Sequence, residues 1–204
     1  MLEFPRQLYL ASQSPRRAEL LRKIGLDFIV SVADIDEDSI CQSDPVIFAK
    51  TLAEKKAEAV MKKIEDGIIV AADTIVTLGS RILGKPSDKN DAHDMLKLLS
   101  GKFHSVFTAF TIIDTVSTIC VTDYAITRVK FKDLTEYEIK FYIDTGSPFD
   151  KAGAYGIQDG VCSLFIEEIQ GCYYNVMGFP LNKFYTTSLE FIKELNKQNR
   201  NEEK

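Results

Sequence analysis

LYLASQSPRR, at residues 8–17, joins a short apolar run to a serine-rich turn and two arginines. The apolar run predicts a β-strand. Ser14 and Pro15 predict a helix start, because serine is a common N-cap and proline suits the first helical position. Arg16 and Arg17 then fall in the first turn, where the helix dipole favours acidic side chains. Helix amides, hydroxyls and guanidinium groups together indicate a site for an anion such as phosphate, although arginines at a helix start are also common surface residues.

The overall composition is that of an ordinary globular protein and limits its function. Of 204 residues, 45% are hydrophobic and 27% are charged, which suffices for one well-buried domain or two closely packed lobes. The net charge of −5 argues against a general nucleic-acid-binding protein, because such proteins need a basic surface. No apolar run approaches the roughly 18 residues that cross a bilayer, and the first residues lack the layout of a signal peptide. We therefore expect neither a nucleic-acid nor a membrane partner.

The cysteines indicate the compartment. Cys41, Cys120, Cys162 and Cys172 form no CxxC pair, and the chain has only two histidines, so a zinc site is not expected. We expect free thiols that act as small buried hydrophobic residues. Free thiols in an acidic chain without a leader predict a cytoplasmic location.

Helix-like and strand-like patterns alternate along the chain, without repeats or an obvious linker. Helices are predicted at 15–24, 44–65, 88–100 and 135–145 and from residue 180. Strands are predicted at 8–11, 27–32, 68–72, 75–83 with a turn at Gly79-Ser80, 104–114, 118–129 and 164–169. The alternation predicts an α/β fold, a single domain over residues 1–204 with a twisted mixed sheet flanked by helices. Residues 103–134 are expected to contribute to a second lobe, which leaves a cleft between two lobes.

Asp73 is the first candidate for chemistry. It follows the continuous apolar run at 68–72, which is typical of a central strand buried on both faces. Open α/β sheets bind ligands at the carboxyl ends of their strands. A carboxylate there can hold a metal ion or accept a proton from water. The alternative is that Asp73 caps the following turn.

Two lysines and an acidic run are weaker candidates. Lys85 lies between Gly84 and Pro86, which constrain the backbone on either side. Lys56 lies on an amphipathic helix, where nothing local distinguishes it from Lys55, and a helical lysine is most often a solvated surface residue. The acidic run at 34–38 is either a solvated loop or a patch that takes a hard cation such as magnesium.

A loop of glycines and aromatic residues at 150–158 is a candidate for binding a planar ligand. Gln158 can both donate and accept hydrogen bonds, as a base edge requires, and the alternative is an ordinary tight connection. His104 follows a helix end, and we expect it to be structural, with direct catalysis as the alternative.

Taken together, these segments resemble the Maf family of nucleoside triphosphate pyrophosphatases across nearly the whole chain. The resemblance rests on eight motifs in the family's order: Ser12-x-Ser14-Pro15-Arg16-Arg17, Asp36-Glu37, Ala53-x-x-Lys56-Ala57, Ala72-Asp73-Thr74, Gly84-Lys85-Pro86, Ser100-Gly101-x-x-His104-x-Val106-x-Thr108, residues 150–158, and Gly171-x-x-x-Asn175-Val176-x-Gly178-x-Pro180. It implies a fold like that of the Maf and inosine triphosphatase proteins. Residues 159–163 depart from it, since relatives carry a more glycine-rich and slightly shorter turn there.

The resemblance also implies a reaction and its residues. The enzyme is expected to hydrolyse a nucleoside triphosphate between the α- and β-phosphates, which yields the monophosphate and pyrophosphate. Asp73 is expected to accept the proton of the attacking water. The residues expected around the phosphates are Ser12, Arg17, Lys56 and Lys85. Glu37, with Asp73, is expected beside a divalent cation, Mg²⁺ by preference.

Three positions are linked to the choice of base in this family. The combination Arg16, Thr74 and Gln158 resembles the subgroup that prefers dTTP and UTP, and often modified pyrimidine triphosphates. An arginine and a glutamine suit the carbonyl and imino edge that uracil and thymine share, and a wrong base leaves polar groups unpaired.

Two other functions stay open. One is an inosine triphosphatase-like enzyme for purine triphosphates, and the other is a non-catalytic nucleotide sensor that regulates division. Pyrophosphate release from dTTP, UTP and ITP distinguishes the three. A homodimer is consistent with the family, although no stripe in the sequence requires it.

Overall fold

The structure is a computed structural model that describes residues 2–37, 39, 40 and 42–202. Asp38, of the acidic run, and Cys41 lie outside the described residues. The strands are β1 (Leu8–Leu10), β2 (Ile29–Val30), β3 (Ile68–Leu78), β4 (Arg81–Leu83), β5 (Phe103–Asp114), β6 (Cys120–Phe131) and β7 (Ile166–Gln170). The helices are α1 (Pro15–Lys23), α2 (Pro45–Met61), α3 (Lys89–Leu99), α4 (Glu136–Asp144), α5 (Tyr173–Val176) and α6 (Leu181–Glu202).

The described strands form one mixed sheet in the order β2-β1-β3-β5-β6-β7, with β4 paired to β3 outside this path. β1 is parallel to both of its neighbours, with Tyr9 opposite Ile29 and Leu10 opposite Val70. β4 and β7 are antiparallel to β3 and β6. Helices alternate with these strands along the chain, so the prediction of an α/β fold with a mixed sheet flanked by helices is confirmed.

β3 is longer than predicted. The apolar run was expected to end a strand at residue 72, but β3 continues through Asp73 to Leu78. Its parallel partner β1 ends opposite Val70, while Val76 pairs with Leu83 of β4 farther along. Pairing with β4 therefore continues β3 beyond the end of β1. The expectation that Asp73 lies at the carboxyl end of a strand is wrong. Asp73 lies inside β3, just beyond the end of the strand beside it.

The described chain divides into two compact units. The first comprises the residues up to Asp73, Ala109–Tyr124 and the residues from Gly178 onward, and the second comprises Thr74–Thr108 and Ala125–Met177. The segment 103–134 was expected to belong to a second lobe. Its middle, Ala109–Tyr124, belongs instead to the first unit, so this expectation is only partly right.

Each unit has its own apolar core. In the first unit, small side chains of α2 pack against β3 in one buried cluster, made of Ala11, Ala57, Val60, Ile69, Ala71 and Ile113. In the second unit, the rings of Phe131 and Phe165 meet edge to face, and Tyr155 packs against Phe131 in the same way. Alanines on α2 let the helix approach the sheet closely, which positions the polar residues next to them.

Side-chain caps fix several helix starts as the sequence predicted. Asp44 accepts hydrogen bonds from the first amides of α2, and Asp88 does so at α3. Thr135 and Glu138 form the predicted capping box at α4. α2 ends at Met61, four residues earlier than expected.

Cys162 is buried, whereas Cys120 is exposed, and both are free thiols. Within the described residues, no helix combines the length and the apolar character needed to span a membrane.

Candidate functional site

Lys56 of α2 joins two carboxylates in the first unit. Its Nζ lies 2.6 Å from Asp73 Oδ1 and 2.9 Å from Glu37 Oε1. The Lys56 and Asp73 side chains are only 12% and 10% exposed, whereas Glu37 is 46% exposed. A largely buried ammonium between two carboxylates is not an ordinary surface lysine, and the structure therefore distinguishes Lys56 from the exposed Lys55.

The alternation of β3 explains why Asp73 meets α2. Side chains two residues apart on a strand share one face, so Asp73 points the same way as Ile69 and Ala71. These two residues pack with Ala57 of α2 in the buried cluster. Lys56 precedes Ala57, and it therefore lies at the border of this contact, within reach of the Asp73 carboxylate.

The turn between β1 and α1 places a hydroxyl and a guanidinium together. Ser12 Oγ accepts hydrogen bonds from the Ser14 amide and from Arg17 Nη1, both at 3.2 Å. Ser14 occupies the N-cap position as predicted, but its side chain makes no capping hydrogen bond. The buried Ser12 hydroxyl organises the turn instead, since a serine side chain readily bonds the amide two residues on.

Arg17 interacts electrostatically with the two carboxylates that contact Lys56, those of Asp73 and Glu37. Burial lowers the pKa of Arg17 from its usual value, while the charges of Asp73 and Glu37 raise it and that of Arg16 lowers it. The guanidinium stays protonated all the same. These interactions put Arg17 within electrostatic reach of Asp73 and Glu37, so the first unit gathers cations and carboxylates in one place.

Of the predicted site residues, the structure brings five together in the first unit, through direct contacts or electrostatic interaction: Ser12, Arg17, Glu37, Lys56 and Asp73. Arg16 belongs to the same helix turn as Arg17 and interacts with it electrostatically. The sequence did not single out the Gly178 carbonyl, which accepts a 2.9 Å hydrogen bond from Arg17 Nε. The sequence signal was Gly178 itself, which belongs to the last motif of the family resemblance. In the structure its φ is 107°, a backbone conformation that favours glycine.

The other predicted site residues belong to the second unit. Lys85 is exposed in the turn between β4 and α3. Thr74 is partly buried, and its Oγ1 lies 3.1 Å from Thr108 Oγ1. Gln158 donates through Nε2 to Asp159 Oδ1 at 3.1 Å.

Asp159 holds the Gln158 amide, and the sequence reasoning assigned it no role. Tyr142 Oη and Ser147 Oγ each donate to Asp159 Oδ2 at 2.7 Å, which fixes this carboxylate. A Cβ at position 156 would come within 2.8 Å of Gln158 Nε2 and Asp159 Oδ2, so these side-chain ends would have to shift. The departure from the family pattern at residues 159–163 was the available signal for this arrangement.

The donor set of the first unit fits a hard divalent cation. Magnesium is bound in proteins by one or two carboxylates, with substrate phosphates and water completing the shell. Glu37 and Asp73 supply two carboxylates that approach the same point, where Lys56 Nζ now lies. Within the described residues, no group of three or more histidine, cysteine or acidic side chains could hold a metal ion.

His104 has a structural environment. It is 2% exposed, its Nε2 lies 2.7 Å from Tyr155 Oη, and its ring packs edge to face on Phe131. Burial lowers the pKa of His104 to about 4. A neutral imidazole inside an aromatic cluster serves the core, as the sequence analysis expected.

This buried imidazole predicts a loss of stability in acid. Between pH 6.5 and about 4 the unfolded chain takes up a proton that the folded protein refuses, so stability present at neutral pH falls as the pH falls. From pH 7.5 to 5 we expect the free energy of unfolding to drop by about 2 kcal/mol through this group. Urea denaturation at both pH values measures it. The drop should shrink in His104→Gln and persist in His93→Gln. An equal drop in His104→Gln contradicts the assignment.

The protein has a mixed α/β sheet, and one part of it gathers a hydroxyl, a guanidinium, an ammonium and two carboxylates. Such a site suits a protein that binds an anion next to a pair of carboxylates. The chain belongs to the Maf family, because the model of that family, described as Maf-like protein, matches residues 7–191.

Similar proteins carry the same printed name. A protein of Clostridium botulinum (strain Kyoto / Type A2) named dTTP/UTP pyrophosphatase is 47% identical over 189 residues, which cover 91% of this chain and 97% of its own. Proteins of that name from Carboxydothermus hydrogenoformans and Desulforamulus reducens are each 46% identical, covering 88% and 87% of this chain and 95% and 93% of their own. A solved structure of a HAM1 protein from Coxiella burnetii matches with a TM-score of 0.48 and 19% identity, over 90% of this chain and 98% of that chain.

Proposed function

We propose that this protein is a nucleoside triphosphate pyrophosphatase that hydrolyses dTTP and UTP to the monophosphate and pyrophosphate. The observation that carries the proposal is the buried contact of Lys56 with Asp73, with Arg17 within electrostatic reach. Relatives that are 46–47% identical and bear the name dTTP/UTP pyrophosphatase support the substrate. Such nucleotides are cytoplasmic, and we propose that the protein acts there.

The cations of the site would bind and neutralise the triphosphate. Cleavage of a phosphoanhydride depends mainly on positioning and on stabilising the charge on the phosphate oxygens. Arg17 and Lys56 are held in place by Ser12 and Asp73, so they lose little freedom when a phosphate arrives. Lys85 is proposed as a further phosphate ligand.

Asp73 would act as the proton acceptor. When phosphate oxygens compete for Lys56, the Asp73 carboxylate gains a free lone pair that can take a proton from water. The water oxygen then forms a bond to the α-phosphorus, and the bond from the α-phosphorus to the bridging oxygen breaks. Pyrophosphate leaves with that bridging oxygen. The Lys56 contact keeps Asp73 in place before substrate binds, which is the positioning that general base catalysis requires.

We propose that Glu37 and Asp73 also hold a divalent cation, Mg²⁺ by preference, together with the substrate phosphates. The cation supplies further charge neutralisation when bound. Lys56 contacts both carboxylates, so we expect the cation to bind together with the phosphate that competes for Lys56.

We propose that selectivity for the nucleobase of the substrate depends on Arg16, Thr74 and Gln158. Replacing Gln158 with alanine should relax the preference, because a side chain that pairs with the edge of thymine or uracil is lost. We expect the ratio of kcat/KM for dTTP over dCTP to fall by about tenfold, the value of roughly one hydrogen bond. Steady-state pyrophosphate release measures both constants. The Gln170→Ala variant, at an exposed glutamine of β7, is the control, and an unchanged ratio in Gln158→Ala counts against the role.

A substrate panel tests the proposed function itself. Pyrophosphate release with Mg²⁺ is measured from dTTP, UTP, dCTP and ITP side by side, with modified pyrimidine triphosphates added. Preference for dTTP and UTP supports the proposal. Preference for ITP indicates an inosine triphosphatase-like enzyme, and binding without any turnover indicates a nucleotide sensor. Sedimentation of the same sample tests whether the protein is a homodimer.

A further inference from the structure

The guanidinium of Arg17 is held from two directions within the first unit. Its Nε donates to the Gly178 carbonyl at 2.9 Å, and its Nη1 donates to Ser12 Oγ at 3.2 Å. Because a guanidinium is planar, contacts at both nitrogens fix its position and the plane in which it lies. Ser12 lies in the turn before α1, whereas Gly178 lies just before α6. Two segments that are far apart in the chain therefore decide where Arg17 lies.

The backbone of Gly178 fixes the direction of its carbonyl. Gly178 is buried, and its φ of 107° lies in the region that L side chains rarely adopt. A residue with a Cβ is strained in this conformation. We expect such a residue to relieve the strain by rotating the backbone, which moves the carbonyl away from Arg17 Nε.

The residues that follow hold the same carbonyl from the other side. Phe179 is fully buried, and its ring centroid lies 6.0 Å from that of Phe110 and 4.9 Å from that of Phe184. Pro180 restricts the backbone of the residue before it, and its own carbonyl accepts a 2.9 Å hydrogen bond from the Phe184 amide. The Gly178 carbonyl is thus a rigid acceptor, anchored in an aromatic cluster and at the start of α6.

We propose that Gly178 is a positioning residue for phosphate binding: its carbonyl holds the Arg17 guanidinium in the orientation that the triphosphate meets. This inference rests on the proposed function, in which Arg17 is a phosphate ligand, and refines it. A carbonyl has no net charge, so it orients the guanidinium without cancelling the positive charge that attracts phosphate. The entropy lost in ordering a long arginine side chain is then lost on folding and not on binding.

Gly178→Ala tests the inference. We expect KM for dTTP and Kd for inorganic tripolyphosphate each to rise by about tenfold, as for one lost hydrogen bond to a charged group. The kcat should stay within about threefold of wild type, because the contact between Asp73 and Lys56 is untouched. Steady-state pyrophosphate release and titration calorimetry measure these constants. In an Arg17→Met background, Gly178→Ala should cause no further rise, because it acts through the absent guanidinium.

A matched control lies in the same unit. Gly25, just beyond the end of α1, also has a positive φ, of 78°, and its amide donates to the Arg22 carbonyl. Gly25→Ala should therefore strain the backbone in a comparable way and lower the thermal stability, but leave KM and Kd unchanged.

A second variant removes the dependence on backbone strain. Replacing Phe179 with its α-hydroxy acid keeps every side chain and turns the Gly178 carbonyl into an ester carbonyl, which is a weaker acceptor. KM and Kd should rise in the same direction as in Gly178→Ala. Thermal unfolding verifies that each variant is folded, and the ester variant decides if Gly178→Ala does not fold.

The outcomes separate the inference from the proposed function. Wild-type protein that hydrolyses no dTTP overturns the proposed function, while the tripolyphosphate titrations still judge the part played by Gly178. Wild-type KM and Kd in a folded Gly178→Ala or ester variant overturn the inference alone. An equal rise in Gly25→Ala, or a rise of the same size in the Arg17→Met background, also overturns it, because Gly178 would then not act through Arg17.

Discussion

Asp73→Asn should reduce turnover of dTTP by about 10³-fold, a loss within the range reported for removing a general base. The amide keeps the size of the carboxylate but does not take a proton from water. Asp73 is buried and lies 2.6 Å from Lys56, so its carboxylate is held in a fixed position. Nucleotide binding should persist, because Ser12 and Arg17 remain. Initial rates of pyrophosphate release and equilibrium binding of a non-hydrolysable analogue measure the two effects separately.

The control for this variant is Asp36→Asn. Asp36 is an exposed carboxylate one residue before Glu37, and the change removes the same charge from the neighbourhood. It should leave turnover within about threefold of wild type, since a solvent-exposed charge is largely screened. A variant at Asp73 that keeps more than half of the activity rules out the role given to this residue.

Lys56→Met should be the second most damaging change. It leaves the Asp73 and Glu37 carboxylates without the ammonium that now contacts both, and a phosphate chain would meet two negative groups. We expect kcat/KM to fall by about 10²-fold or more, the usual value of a fixed charge at a reacting phosphate. Removing one partner of a mostly buried ion pair should also cost about 1–3 kcal/mol of stability. Steady-state kinetics and urea denaturation measure these losses.

Lys55→Met is the matched control for Lys56→Met. Lys55 precedes Lys56 on α2 but is exposed, so the substitution changes net charge and helix composition equally. It should leave activity and the free energy of unfolding close to wild type, as expected for an exposed side chain. Equal losses in the two variants would show that α2 needs positive charge in general and not the contact to Asp73.

Local signals explain what the sequence predicted well about the fold. Asp88 and Thr135 cap α3 and α4 at the expected residues, because a cap depends on the few residues beside it. The end of β3 depends instead on which strands lie next to it: β1 ends opposite Val70, and β4, which follows the turn at Gly79-Ser80, pairs with the last residues of β3. The apolar run ended at residue 72, yet pairing with β4 extended the strand to Leu78. A strand boundary of this kind cannot be seen in periodicity alone.

The site likewise has features that neighbouring residues predict and features that depend on distant parts of the chain. Lys55 and Lys56 look alike in sequence, and only the packing of α2 on β3 decides that Lys56 meets a carboxylate. Arg17 and Asp73 could be linked from sequence only through their joint resemblance to a family, since they lie far apart in the chain. Gly178 and Asp159 act through a carbonyl and through a neighbouring amide. The sequence marked both positions, as a motif glycine and as a departure from the family pattern, but the contacts themselves depend on the folded chain.

Product analysis tests the central claim most directly. Wild-type protein is incubated with dTTP and Mg²⁺, and the phosphorus signals are followed by ³¹P NMR as the substrate disappears. We predict equal amounts of dTMP and pyrophosphate from the first turnover onward, with no dTDP. Release of inorganic phosphate and dTDP, or no change in the triphosphate signals, would contradict the account.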